Sequence, residues 1–308
     1  MPFFTLYPEN SPDINEQWFQ SQLTRYGKTS YKNCFEEEVA ALQAFYNHKT
    51  SVEQAANDIT RPISNSPLQD LGGYSDDIVA LCQLWYILKN ALIEWPPSRT
   101  ADIVALMTAI TKVTDPIHRG EVLDENDQTP LSWAGLPWFP MVWSDAFWRT
   151  PGQIARQATN EASRQHELAV YIKQQDAEAR LVAAGLLNWD RAGRYMIRTL
   201  ERKPGPDDVR IAPSDGEADG QLKLEFQIPG VSKWIEHNGD RLYNSLDEIN
   251  NWDKKTAWCE VKRFDPPSER WNLWQKRLLE IAEDSELETV IRDAARTALQ
   301  HMQKIKAI

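Results

Sequence analysis

The stretch DDIVALCQLWYILKNALIEW, residues 76–95, leaves this chain few ways to fold. It begins after Ser75 and stops at Pro96 and Pro97, so start and stop signals bracket about five turns of helix. Its apolar residues fall on nearly every side rather than in one stripe. A helix of that kind has no face to give to water and needs other helices packed all round it. It is not a bilayer span: the longest apolar segment, IVALCQLWYIL (78–88), contains Gln83 and stops at Lys89, short of the roughly 20 residues a membrane demands.

The rest of the sequence supplies those neighbours. Phe35, Val39, Leu42 and Phe45/Tyr46 recur at three to four residues, which is helical spacing. Trp18, Phe19 and Leu23 form another such stripe after Asp13, and Ile103, Leu106/Met107, Ile110 and Val113 another after Ser98 or Thr100. Ser51 with Gln54 predicts a capping box, with Pro62 ending the helix that follows. Thr150-Pro151-Gly152-Gln153 predicts a second box. Helix is expected from there to about residue 200, broken near Gly185 and restarted at Asp190. Residues 114–135 read as a loop. LKLEFQI (222–228) alternates like a strand but has nothing to pair with, so loop is expected there, leading into a helix with Trp234, Ile235, Leu242 and Tyr243. Asp265-Pro266 opens a helix with Trp271, Trp274 and Leu278, and Ser285 with Glu288 caps the last one. The prediction is an all-α array of about ten helices in a single domain, 1–308. The Pro-, Gly- and acid-rich segment 203–221 is expected to be a flexible insertion.

Composition removes several functions. A net charge of −11 without a Lys/Arg cluster argues against nucleic acid and anionic membrane surfaces as partners. Three cysteines, Cys34, Cys82 and Cys259, are odd in number and widely spaced, which argues against a disulfide framework, and MPFFTLYPENSPD lacks the features of a signal peptide. The expected setting is a reducing compartment, the cytoplasm or nucleus.

No reactive signature stands out. Glu36-Glu37-Glu38 reads as a solvated first helical turn. Asp76-Asp77 lacks the third carboxylate of a diphosphate-binding cluster, and Asn160, Ser163 and Glu167 miss the second such motif by one residue. His118 with Glu121, and His166 with Glu167, lack a second ligand at helical spacing, so no metal is expected. Cys82 sits in the most apolar helix, which disfavours a thiolate. No cofactor and no catalytic residue are assigned.

LPWFPMVWSDAFW (136–148) holds five large aromatic side chains in thirteen positions. Phe139, Trp143 and Phe147 share one face if the stretch is helical. Core packing explains such a cluster, and so does a pocket for an apolar small molecule; an interfacial membrane belt is a third reading, weakened by the lack of neighbouring Lys/Arg. Trp138, Phe139, Trp143, Phe147 and Trp148, with Trp85 of the apolar helix, are the candidate lining. Arg156, Arg164, Arg180, Arg191, Arg194 and Arg198 alternate with acids, as on an exposed salt-bridged face. Arg194 is the first candidate for a polar contact to a ligand.

SVEQAANDITRPI (51–63), LPWFPMVWSDAFW and FDPPSERWNLWQKRLLEIAEDSEL (264–287) together resemble a family of filamentous-fungal proteins catalogued as a domain of unknown function. The likeness runs over roughly residues 30–305, with 203–221 as a variable insert. It implies a fungal source, an all-α fold and an intracellular location, with some members near specialised-metabolite gene clusters. It carries over no catalytic residue. Two functions stay open: an accessory protein of specialised metabolism that holds an apolar small molecule, and a protein–protein or homo-oligomeric interaction module.

Overall fold

A computed structural model describes residues 4–8, 16–26, 32–65, 76–115, 132–147, 149–201, 223–252 and 261–306. These residues are all-α, with thirteen α-helices, two short 3₁₀ turns and no strand among them. The segment 203–221, His118 with Glu121, residues 116–131 of the expected loop, and Trp148 lie outside the described residues.

The chain divides into two compact units, Met1–Trp148 and Arg149–Ile308. The first contains α1 (Gln17–Tyr26), α2 (Lys32–Tyr46), α3 (Val52–Asn65), α4 (Asp76–Glu94), α5 (Thr100–Ile110) and α6 (Phe139–Ala146). α4 is the helix with no polar face. From Ala80 to Trp95 its side chains are buried or half-buried without exception. α2, α5 and α6 pack against it, and α3 joins α2 to α5. Pro62 does not end α3, which runs on to Asn65. A proline costs most in the middle of a helix; here it sits in the last turn, buried against the core.

The second unit holds α7 (Pro151–Gln157), α8 (Glu161–Ala183), α9 (Asp190–Leu200), α10 (Leu224–Asn244), α11 (Leu246–Asn250), α12 (Ser268–Glu283) and α13 (Thr289–Lys306). The capping box at Thr150 is complete: Gln153 N–H donates to Thr150 Oγ1 at 3.3 Å, and Thr150 N–H to the Gln153 side chain at 2.9 Å. Gly185 breaks the helical run at φ +76°, a conformation glycine takes without steric cost. A second break at 158–160 went unpredicted; Asn160 caps α8 by accepting the Ser163 N–H at 2.8 Å. The expected loop at LKLEFQI is helix from Leu224 onward, continuous through Pro229. Burial decides this: Phe226 and Ile228 are fully buried, and Phe226 packs edge-on to Tyr171 of α8 at 5.6 Å. α13 begins at Thr289 rather than at a Ser285 cap.

Candidate functional site

Four of the aromatic candidates form a ladder of rings in the first unit. Trp133 meets Trp85 at 6.3 Å, Trp85 meets Phe139 at 5.7 Å, Phe139 meets Trp143 at 6.0 Å, and Trp143 meets Phe147 at 4.8 Å. The i, i+4, i+8 spacing therefore places Phe139, Trp143 and Phe147 together as expected. Trp85, Phe139 and Trp143 are fully buried, so their rings spend their surface on one another. Trp138 stands half-buried at the N-terminus of α6 with φ +66°, two residues after Leu136 at φ +44°. Two left-handed non-glycine residues cost about 1–2 kcal/mol each. The Trp85 indole N–H, donated to the Pro137 carbonyl at 2.6 Å, helps hold that turn.

The ladder ends on an amine. Phe147 stacks on Phe4 at 5.7 Å, and Lys89 Nζ lies 5.6 Å from the Phe4 ring and 4.8 Å from the Tyr86 ring. Burial pushes Lys89 down to about 8, against the opposing pull of Glu94. Glu94 is itself buried and raised by burial; its carboxylate accepts from the Trp18 indole at 2.6 Å and the Thr5 N–H at 3.2 Å. Glu38 is a second buried acid, 1% exposed, with neither oxygen hydrogen-bonded. Burial, then the charge of Glu37, holds it well above the usual carboxylate range. The solvated-turn expectation for the Glu36–Glu38 run thus fails at Glu38. Its position in the core stripe with Phe35, Val39 and Leu42 turns it inward.

A cleft of about 70 Å³ opens between the end of α2 and the start of α5, lined by Phe45, Tyr46, His48, Trp95, Arg99 and Asp102. Its floor is aromatic: Tyr46 and Trp95 meet at 4.7 Å, and Trp95 continues into Trp18 at 5.2 Å and Phe19 at 6.0 Å. Its rim is polar. The Arg99 guanidinium lies 5.0 Å from the Tyr46 ring. Through Nη1 alone it meets His48 Nε2 at 2.8 Å and Asp102 Oδ2 at 3.0 Å. That leaves its Nε–Nη2 edge, the fork that fits a carboxylate. The buried Trp95 indole N–H also has no acceptor. His48 sits at φ +53° in the turn after α2. Sequence reasoning missed this cleft because its residues come from two segments about 50 positions apart, and no local pattern joins them.

The second unit carries a different kind of core. α8 buries Glu167, Lys173, Gln174, Gln175, Asp176 and Glu178 among apolar neighbours. Each acid on it is met by a cation: Glu167 by Arg149 at 3.1 Å, Asp176 by Arg180 at 2.9 Å, and Glu178 by Arg191 at 2.6 Å. The arginine run is therefore an exposed face only in part: Arg156 is exposed and Arg164 pairs with the exposed Glu161, whereas Arg180 and Arg191 meet acids buried on α8. Arg194, the sequence candidate for ligand contact, pairs with Asp190 of its own helix at 2.5 Å. The fully buried arginine is instead Arg270 of the ERWNLW motif. It meets Glu201 at 2.8 Å, donates to the Lys262 carbonyl and lies 4.9 Å from the Phe264 ring. Glu201 also accepts the Trp274 indole N–H at 3.0 Å.

Asp176, Glu236 and His237 bring three potential metal-ligand atoms within 4.8 Å of one another, a grouping sequence spacing did not reveal. His237 Nε2 lies 3.0 Å from Asp176, and Lys233 lies 2.8 Å from Glu236 and 3.7 Å from Asp176. Lys233 and Arg180 already supply the positive charge a metal would bring. Burial raises Asp176, but hydrogen bonds from His237 and Arg180 outweigh it and hold the acid at about 2.

Residues 85–278 match the family model described as protein of unknown function (DUF3632). The chain belongs to this family. The DUF3632 segment begins at Trp85 and takes in Lys89, Arg99, the LPWF turn, α8 and most of α12. Phe4, Glu38, Tyr46 and His48 fall outside it, as does the 51–63 motif. No curated protein and no solved structure matches the chain. Among the described residues no helix is long and apolar enough to cross a membrane.

Proposed function

We propose that this DUF3632 protein binds an apolar small molecule through an acidic head group received at Arg99. The observation that carries this reading is the unengaged Nε–Nη2 edge of Arg99, set in a cleft with an aromatic floor. The cleft's 70 Å³ is about half the ~150 Å³ that encloses a benzene ring. It suits a carboxylate and the first carbons behind it, with the rest of the ligand lying outward past Phe45 and Tyr46. Asp102 and His48 hold the guanidinium in place, and the Trp95 N–H is a further donor. In the setting that the motif resemblance implies, fungal specialised metabolism inside the cell, such a protein holds an apolar acid. The protein–protein reading keeps one supporting observation: Leu279 and Val290, on consecutive helices, are 48% and 58% exposed.

Isothermal titration with 4-phenylbutanoate and its uncharged amide tests the first reading. The acid is expected to bind, and to bind at least about tenfold more weakly to the Arg99→Leu variant, the loss of one charge-assisted contact. Equal binding of acid and amide would refute it. A ligand-free dimer in native mass spectrometry, lost in Leu279→Glu, would favour the second.

A further inference from the structure

Phe45 lines the Arg99 cleft, yet among the described residues its ring meets no other ring and no cation. The other aromatic walls of the cleft are taken. Tyr46 meets Trp95 at 4.7 Å and Phe19 at 6.1 Å, and the Arg99 guanidinium lies 5.0 Å from its ring. Trp95 is 2% exposed and packs on Trp18 and Phe19 as well. Phe45 reaches the cleft for a local reason. It closes the apolar stripe of α2, three residues after Leu42 and so on the same side of the helix. Leu42 is fully buried, whereas Phe45 stands half-buried in the last turn, where α2 ends beside the cleft. A half-buried phenylalanine is ordinary on a protein surface. This one shares a cleft with the unengaged Nε–Nη2 edge of Arg99. The same small opening thus offers a fork for a carboxylate and a ring with nothing on it.

We infer that the ligand of this cleft is an aryl-alkanoic acid whose ring packs on Phe45 while its carboxylate meets Arg99. The inference rests on the Arg99 reading above and adds the chemistry of the tail. The cleft's 70 Å³ has no room to enclose a ring beside the carboxylate, given the ~150 Å³ that holds a benzene. The ring of the ligand therefore lies at the mouth, partly in water, where Phe45 is itself half-buried. Burial of area discriminates little between apolar tails at such a place, because much of each tail stays wet. Ring geometry discriminates more: an offset or edge-on aromatic pair adds to what burial contributes, and a saturated tail cannot form one. Arg99 does not receive the ring, since its guanidinium already lies over Tyr46. Phe45 is then the specificity-determining residue for the tail, as Arg99 is for the head group.

Isothermal titration of the whole protein with 4-phenylbutanoate and 5-phenylpentanoate, each against its cyclohexyl counterpart, tests the inference. Cyclohexyl is the bulkier and more apolar ring, so burial alone favours it. At one or both chain lengths the phenyl acid is expected to bind about threefold or more tighter, the effect of one aromatic pair. Phe45→Leu keeps an apolar side chain and removes the ring. It should erase the phenyl preference and leave the cyclohexyl acids within about twofold of their affinity for the parent. No phenyl preference at either length, or one that survives in Phe45→Leu, overturns the inference and leaves the Arg99 reading standing. Failure of all of these acids to bind overturns both. The comparison of phenyl with cyclohexyl is made in the unmutated protein and does not depend on the variant folding.

Discussion

α4 in the first unit and α8 in the second are both long, both buried, and opposite in how they treat charge. α4 and its neighbour α2 bury Lys89 and Glu38 with no ionic partner, and burial shifts each towards its neutral form. α8 buries Asp176 and Glu178 with a cation on each, and Asp176 stays ionised down to about 2. In an apolar interior a lone charge is given up, whereas a paired one is kept at the cost of geometry. The first unit therefore leaves two buried ionisable groups without an ionic partner, whereas the buried acids of α8 in the second are each met by a cation.

Four experiments can break or sharpen that contrast. The largest effect is expected at Arg270. Arg270→Met leaves Glu201 in the interior with only the Trp274 N–H, and urea unfolding should show a loss of about 3–5 kcal/mol. Arg270→Met with Glu201→Met should recover most of it; a double variant as weak as the single would mean the pair acts through packing alone.

Next comes Lys89, where the sign reverses. Its folded value, about 8, lies below the unfolded 10.5. The cost of carrying the proton is thus full below pH 8 and fades as pH rises to 10.5. Lys89→Met should be more stable than the parent at pH 7 by up to about 3 kcal/mol, and the gap should close between pH 8 and 10.5. A gap that does not change with pH would show that Lys89 is not desolvated.

Asp176 behaves in the opposite sense. Its folded value, about 2, lies below that of the unfolded chain, so its contribution is present above about pH 4 and is lost as pH falls to 2. The loss should amount to about 2 kcal/mol and should be flattened by Asp176→Asn. Glu38 should show the smallest effect. If it is protonated in the fold, Glu38→Gln replaces one neutral group with another and should change stability at pH 7 by about 1 kcal/mol or less. A large gain would mean that Glu38 is ionised inside the core.

Much of the architecture was legible because helices announce themselves locally. The Thr150 box, the break at Gly185 and the stop after α4 are each written within a few residues, and each forms as expected. The errors lie where packing overrides local signals. The alternation of LKLEFQI suggested a strand or loop, but Phe226 and Ile228 find burial on a helix against α8. Pro62 and Pro229 sit inside helices because neighbouring contacts outweigh one missing N–H. The candidate site was less legible. Helical spacing put Phe139, Trp143 and Phe147 on one face, yet nothing local says that the next rings are Phe4 and Tyr86, or that a lysine lies between them.

By itself the sequence determined an all-α chain, because a helix apolar on every side must be surrounded by others and the remaining stripes repeat at 3.6 residues. Tertiary structure alone decided which charges and polar groups pair between separate helices. Arg270 finds Glu201 across 69 positions, Asp176 finds His237 across 61, and Arg99 meets His48 across 51. Periodicity fixes which way a side chain points along its own helix, but the partner it meets there is set by how the helices cross.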